Sequence, residues 1–202
     1  IAAACLTLAA IHVHVWLRER SQAANGAFAL LAASVAALAF IELQMVRASD
    51  PATFGRWLWW YHLPIWTGLV ASVFFVRLHL GAGRAWLGWT AIGLRTLALV
   101  INFFSSPNIN YRELTGLEHV PVLGESLAWG EGTTNPLLAI AQLALVALVA
   151  FVADAAVTAW RRGQRRRALA VGGSMVIFVS AALGSAVLSY WGLARLPVLA
   201  SL

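Results

Sequence analysis

The sequence predicts an all-α, polytopic integral membrane protein, a bundle of six complete transmembrane helices and the start of a seventh. Hydrophobic residues make up 61% of the 202 residues, charged residues only 11%, and the mean hydropathy is +0.78. Soluble domains carry about 25% charged residues. A chain this poor in charge cannot cover a globule with polar side chains, so lipid is its expected solvent. Soluble enzymes and disordered chains are excluded, and the single Cys5 excludes a disulfide framework.

Six apolar segments reach the length of a membrane span, which is about 17–25 residues. The predicted helices are 1–17, 26–46, 54–80, 84–104, 137–160 and 168–193, and a seventh begins at residue 196. Proline and glycine mark the boundaries, at Pro51, Gly81, Gly83 and Pro136. The chain begins and stops inside apolar runs, so we expect it to be a piece of a longer protein.

The distribution of arginine predicts the orientation in the membrane. All fourteen basic residues are arginine, and nine of them lie in the three loops that follow the first, third and fifth helices. Four lie on the opposite side, and Arg95 lies within the fourth helix. The positive-inside rule places the nine in the cytoplasm, the N-terminal end outside and the end after helix seven inside. Arginine at helix ends sets topology, so nucleic acid is not an expected partner.

One long loop, residues 105–135, falls on the outer side. It is acidic but also rich in apolar and aromatic side chains, which argues against disorder. A loop of this length in a compact protein is usually functional. We expect it to fold as an extracytoplasmic lid over the bundle. Its candidate site residues are Asn108, Asn110, Tyr111, Arg112, Glu118, His119 and Glu125.

Four polar side chains inside the predicted helices form the candidate sensing site: Glu42, His62, Arg95 and Asn102. Ionisable groups in a membrane interior are costly and point to function. All four lie in the outer halves of helices two, three and four, so they can converge beneath the lid. The alternative is a structural cluster that only holds the helices together. Glu42, His62 and His119 offer metal-ligand chemistry, but no spacing motif ties them together, and no cofactor is identified.

Other residues have simpler interpretations. Trp57, Trp59, Trp60 and Tyr61 are typical of an interfacial aromatic belt, with a stacking site for an aromatic ligand as the alternative. Asp154 is expected to make a structural pair, with Thr158 and Arg161 on its own helical face. A Schiff-base retinal protein is not expected, since the chain contains no lysine.

Short motifs along nearly the whole chain resemble a known family. They are the runs FALL (28–31), IELQMVRA (41–48), RW (56–57), HLP (62–64), FVRL (75–78), RAWL (84–87), NF (102–103), PNINYRE (107–113), LGE (123–125), NP (135–136), FVADA (151–155) and WRRG (160–163). Together they resemble the N-terminal seven-helix membrane sensor region of bacterial sensor histidine kinases, which PAS domains often follow. His79 stands where an aromatic such as tyrosine is expected, and it receives no role.

The resemblance implies a signal-input domain in the bacterial inner membrane. Its expected partners are the lipid bilayer and cytoplasmic PAS and kinase modules of the same chain, with a homodimer formed through the parent kinase. Any catalytic activity then belongs to the parent protein and not to this segment. The alternative function is a small-molecule or ion transporter, or a membrane-embedded enzyme, that uses Glu42 and His62.

Overall fold

The computed structural model describes the main chain of residues 1–122 and 125–190, and the side chains of these residues except 119–127 and 189. The predicted seventh helix and the last three residues of the predicted sixth lie outside the described residues. The side chains of two lid candidates, His119 and Glu125, lie outside them as well.

Within the described residues, six helices form the bundle. In chain order they are α1 (Ala2–Arg18), α2 (Ala23–Val46), α3 (Pro51–Leu80), α4 (Ala85–Phe104) and α5 (Leu138–Arg161). The sixth, α6, combines an α-helical turn (Arg165–Arg167), a π-helical segment (Ala168–Gly173) and an α-helix (Ser174–Tyr190). Each of the six helices predicted as complete has a counterpart, and the described boundaries differ from the predicted ones by up to three residues.

Five of these helices are long and apolar enough to cross a membrane: α2, α3, α4, α5 and the part of α6 over Arg165–Leu188. The prediction of a helical, multi-pass membrane protein is therefore confirmed. The predicted count of six complete spans and a seventh is not supported. Helix α1 has 17 residues and is shorter than the five candidate spans, and the seventh helix lies beyond the described residues.

The start of α3 differs from the prediction for a local reason. The helix begins at Pro51, three residues before the predicted start, because Asp50 caps it. The Asp50 carboxylate accepts a hydrogen bond of 2.8 Å from the Thr53 amide, and this bond holds the pKa of Asp50 below its usual value. Proline at the first helical position needs no amide partner, so Pro51 opens this helix as well as ending the previous segment.

The segment between α4 and α5 contains two strands that the sequence analysis did not predict. Strand β1 (Tyr111–Val122) pairs antiparallel with β2 (Glu125–Thr134), in a register that places Tyr111 opposite Thr134. The register shifts twice near the base of this hairpin. A Cβ atom at Gly132 would lie 2.0 Å from the Glu113 carbonyl oxygen, so only glycine fits there. The expected lid is thus a β-hairpin added to the helical bundle.

The main hydrophobic core lies between α3, α4, α5 and the first half of α6. Val76, Phe151, Val152 and Ala155 are fully buried in it. The π-helical segment crosses α5 so closely that a Cβ atom at Gly172 would lie 2.4 Å from the Cβ of Ala156. Small residues permit this approach, which is how helices pack tightly in lipid.

The end of the bundle opposite the hairpin is tied by polar contacts. The Arg84 amide donates to the Asp154 carboxylate at 2.9 Å, and the Arg84 guanidinium lies 3.5 Å from the same carboxylate. The Arg162 guanidinium donates to the Gly81 carbonyl at 2.8 Å. Asp154 is therefore structural, as expected, but its partner is Arg84 in the α3–α4 loop and not Arg161 on its own helix.

The orientation is testable by cysteine accessibility. In a Cys5→Ser background, we expect a membrane-impermeant maleimide to label Thr115→Cys on intact cells. Gln164→Cys should react only after permeabilisation, because the positive-inside rule predicts that the arginine-rich loop lies in the cytoplasm. Gln164 is preferred to the adjacent Gly163, whose φ of 84° makes any side chain strained there. Labelling of Gln164→Cys from outside would reverse the topology.

Candidate functional site

The four predicted sensing residues are buried in the half of the bundle nearest the hairpin. The exposed fraction of each is 5% or less for Glu42, His62, Arg95 and Asn102. His62 lies 11 residues after the start of α3, roughly 16 Å along the helix axis. They lie within α2, α3 and α4, which are long and apolar enough to cross a membrane, and polar side chains in a membrane interior need partners.

A chain of two hydrogen bonds runs through His62. The Arg95 Nη2 atom donates to His62 Nδ1 at 2.9 Å, since a guanidinium can only donate. His62 Nδ1 must then be unprotonated, so the proton of the neutral ring lies on Nε2, which donates to Asn110 Oδ1 at 2.6 Å. We call these three residues, Arg95, His62 and Asn110, the polar chain.

The polar chain joins three parts of the fold. Arg95 belongs to α4, His62 to α3, and Asn110 immediately precedes the first strand of the hairpin. A proton added at His62 Nδ1 would face the Arg95 donor and break that bond. The sequence predicts that Glu42, His62, Arg95 and Asn102 can converge, and the structure places His62 and Arg95 in direct contact. The sequence places Asn110 among the lid residues but does not predict its contact with His62.

Glu42 lies beside this chain through Tyr61. The Tyr61 hydroxyl donates to the Glu42 carboxylate at 2.6 Å, and Tyr61 precedes His62 on α3. Tyr61 is buried, so its predicted place in an interfacial aromatic belt is wrong. Tyr61 follows Trp57, Trp59 and Trp60 in one aromatic run, so the sequence does not distinguish its burial from theirs. The contact with the Glu42 carboxylate on α2 accounts for the buried position of the Tyr61 ring.

Asn102 has a different role from the other three. Its Nδ2 atom donates to the Trp59 carbonyl at 3.0 Å, and its Oδ1 atom accepts from the Ile109 amide at 3.1 Å. Asn102 thus holds α4 to α3 and fixes the segment that leads into the hairpin. Pro64 lies two residues after His62 on α3. The helix continues through Pro64, which also lines a cavity.

A second asparagine, Asn108, anchors the start of the hairpin, and we call its hydrogen bonds the asparagine seat. Asn108 Oδ1 accepts from the amides of Asn110 and Tyr111 at 3.0 and 3.1 Å, and its Nδ2 atom donates to the Gly55 carbonyl at 3.4 Å. The Tyr111 hydroxyl donates to the Gly130 carbonyl at 2.9 Å. Burial raises the pKa of Tyr111 above its usual value, so it remains a neutral donor.

The remaining lid residues lie outside this seat. Arg112 is exposed and, with Glu113, Arg56 and Asp50, borders a shallow depression at the base of the hairpin. Glu118 is half-buried in β1. His119 and Glu125 have no described side chains, so their predicted lid roles remain predictions.

A cavity of about 170 Å³ lies directly beneath the polar chain. All three residues of the polar chain line it, together with Tyr61, while most of the remaining wall is aliphatic. Among the described residues that line it, neither Glu42 nor Asn102 appears. The structure therefore separates the four predicted residues into two that border a cavity and two that support their neighbours.

The described residues contain no group of three or more His, Cys, Asp or Glu side chains that could hold a metal ion. Glu42 is bonded to Tyr61, and both ring nitrogens of His62 are engaged by protein atoms. The third weak metal candidate, His119, lies outside the described side chains. What the arrangement does offer is a set of hydrogen-bond donors at one end of an apolar cavity.

The asparagine seat is testable by one substitution. Asn108→Ala leaves the amides of Asn110 and Tyr111 buried without their acceptor, at a cost of about 1–3 kcal/mol for each. We expect a lower free energy of unfolding in nanodiscs and faster cleavage of the hairpin by added protease. Thr115→Ala, which removes a hydroxyl contact on the exposed face of the hairpin, is the control and should change stability by about 0.5 kcal/mol or less. Wild-type stability and cleavage in Asn108→Ala would refute the seat.

No protein family model matches this chain, and no curated protein or solved structure matches it either. The chemistry of the site is therefore inferred from its own residues. These residues give a buried cation, a neutral histidine of defined tautomer and an amide, joined in series between an apolar cavity and the base of the hairpin.

Proposed function

We propose that this chain is the membrane-embedded signal-input region of a bacterial sensor histidine kinase, and that the cavity beneath the polar chain receives the signal. The observation that carries the proposal is that His62 lines the cavity and is hydrogen-bonded to Asn110 at the base of the hairpin. The sequence resemblance described above supports the kinase assignment. A ligand that touches His62 or Arg95 competes with the bonds that position the hairpin.

The contacts between the hairpin and α6 offer a route for the response. The Thr134 hydroxyl donates to the Tyr190 carbonyl at the end of α6. The rings of Tyr111 and Trp129 lie 5.8 and 5.9 Å from the Tyr190 ring. A ligand that loosens Asn110 therefore shifts the support of α6, whose other end carries three consecutive arginines. A change of this kind at the outer end of a helix can be transmitted along it, as in other helix-shift switches.

The proposal includes the finer orientation and the partners. The hairpin faces the periplasm, and the arginine-rich end lies in the cytoplasm of a bacterial inner-membrane protein. Six spans and a seventh connect to PAS and kinase modules of the same chain, which dimerise. The polar chain then senses an extracytoplasmic or membrane-borne molecule and the cytoplasmic modules report it.

The test uses the complete gene product in nanodiscs with ATP. We expect phosphoryl transfer to a histidine of the cytoplasmic part. His62→Gln should change the autophosphorylation rate about fivefold or more at normal expression, which is the lower end of ordinary coupling between sites. His79→Gln is the matched control on the same helix: His79 lies near the far end of α3, stacked on Phe75, and its rate should stay within about twofold.

Two results would contradict the proposal. Absence of phosphohistidine in the complete, folded protein would exclude a histidine kinase and favour the transporter or enzyme alternative. Equal rates for His62→Gln, His79→Gln and the wild type would leave the kinase assignment intact but remove the polar chain from signalling.

A further inference from the structure

The cavity is elongated, and the ionisable side chains among its described lining residues lie at one end. Its lining runs along α3 from Tyr61 to Ser72 and along α6 from Phe178 to Tyr190, roughly 16–18 Å at the rise of an α-helix. The polar chain and Tyr61 lie toward the hairpin end of this path. Beyond them the wall consists mostly of aliphatic side chains, among them Leu69, Leu145, Leu148 and Val179.

The cation at the polar end has an unused donor. Arg95 is 3% exposed and lines the cavity, and its Nε atom is buried with no hydrogen-bond partner among the described residues. Its Nη2 atom contacts the neutral nitrogen of His62, which carries no countercharge. A buried donor on a charged group is costly when it has no acceptor. A negatively charged ligand near this guanidinium would therefore lower the free energy of the site.

We propose that this cavity binds a long-chain carboxylate, whose carboxylate group pairs with the guanidinium of Arg95, a lining residue, while its acyl chain lies along the aliphatic wall. The ligand class rests on the proposed function, in which the cavity receives the signal. The shape of the cavity matches an elongated apolar body with one acceptor at its end. The ligand brings a countercharge to the buried guanidinium and competes with His62 for it.

Charge favours a carboxylate over a neutral acceptor. A ketone or quinone oxygen could also accept a hydrogen bond from the Arg95 guanidinium, but it would bring no negative charge to a cation in a low-dielectric interior. A carboxylate supplies both the acceptor and the countercharge, and charge-assisted bonds of this kind are the strong ones. The Glu42 carboxylate is bonded to Tyr61, and Glu42 is not among the described residues that line the cavity.

The direct experiment measures binding of radiolabelled palmitate to the complete protein in nanodiscs. We expect saturable binding, displaced by unlabelled palmitate and not by methyl palmitate, which has the same chain without the charge. Arg95→Gln should weaken binding about tenfold or more, as expected for loss of a charged hydrogen-bond partner. Displacement by the methyl ester as effective as by palmitate would show ordinary acyl-chain partitioning and overturn the proposal.

A second pair of variants tests the acyl path without touching the cation. Ala182 on α6 lines the cavity, whereas the adjacent Ala181 is exposed on the outside of the bundle. Ala182→Phe should abolish saturable palmitate binding by filling the path, and Ala181→Phe should leave it unchanged. Equal binding by the two variants would place the ligand elsewhere, even if Arg95→Gln fails to fold.

The two experiments distinguish an error in the proposed ligand class from an error in the proposed function. Phosphohistidine that depends on His62, without charge-dependent palmitate binding, would retain the sensor and refute the carboxylate. Palmitate binding that is lost in Ala182→Phe, in a complete protein that forms no phosphohistidine, would retain the site and refute the kinase.

Discussion

The hydrogen bond between Arg95 and His62 is the interaction on which the candidate site depends. A guanidinium in the interior of a membrane bundle is costly, and an acceptor nitrogen facing it offsets part of that cost through a charge-assisted bond. Because this bond makes Nδ1 the acceptor, Nε2 is the donor, and Asn110 has to present its oxygen. One buried cation thereby sets the tautomer of His62, the orientation of the Asn110 amide and the position of the chain entering the hairpin.

Asparagine side chains make the non-helical entry to the hairpin possible. Irregular backbone buried at bilayer depth carries amides and carbonyls that need partners. Asn102 and Asn108 supply acceptors for the amides of Ile109, Asn110 and Tyr111, and their own amide groups donate to carbonyls of α3. The hairpin is consequently attached to the ends of α3 and α4 by specific hydrogen bonds, so a change at the polar chain reaches it directly.

The sequence predicted the helices and part of the site because hydropathy and depth are local properties. Long apolar runs placed the described ends of α2 to α6 within three residues, and depth predicted that Glu42, His62, Arg95 and Asn102 could converge in one half of the bundle. The hairpin was not predicted, since its register depends on a cross-strand approach at Gly132 that no local pattern shows. Tyr61 was assigned to the interface because its neighbours are tryptophans, while its actual direction is set by Glu42 on another helix. Asn102 was grouped with the sensing residues, but its bonds are to main-chain atoms.

The most direct measurement is a double-mutant cycle between Arg95 and Asn110, the two ends of the polar chain, with unfolding followed in bicelles. Arg95→Gln and Asn110→Ala should be non-additive by about 0.5–3 kcal/mol when His62 is present. In a His62→Phe background the same two substitutions should be additive to within about 0.5 kcal/mol, because the residue that joins them is gone. Additivity with His62 in place, or equal coupling without it, would contradict the account that His62 connects the buried cation to the hairpin.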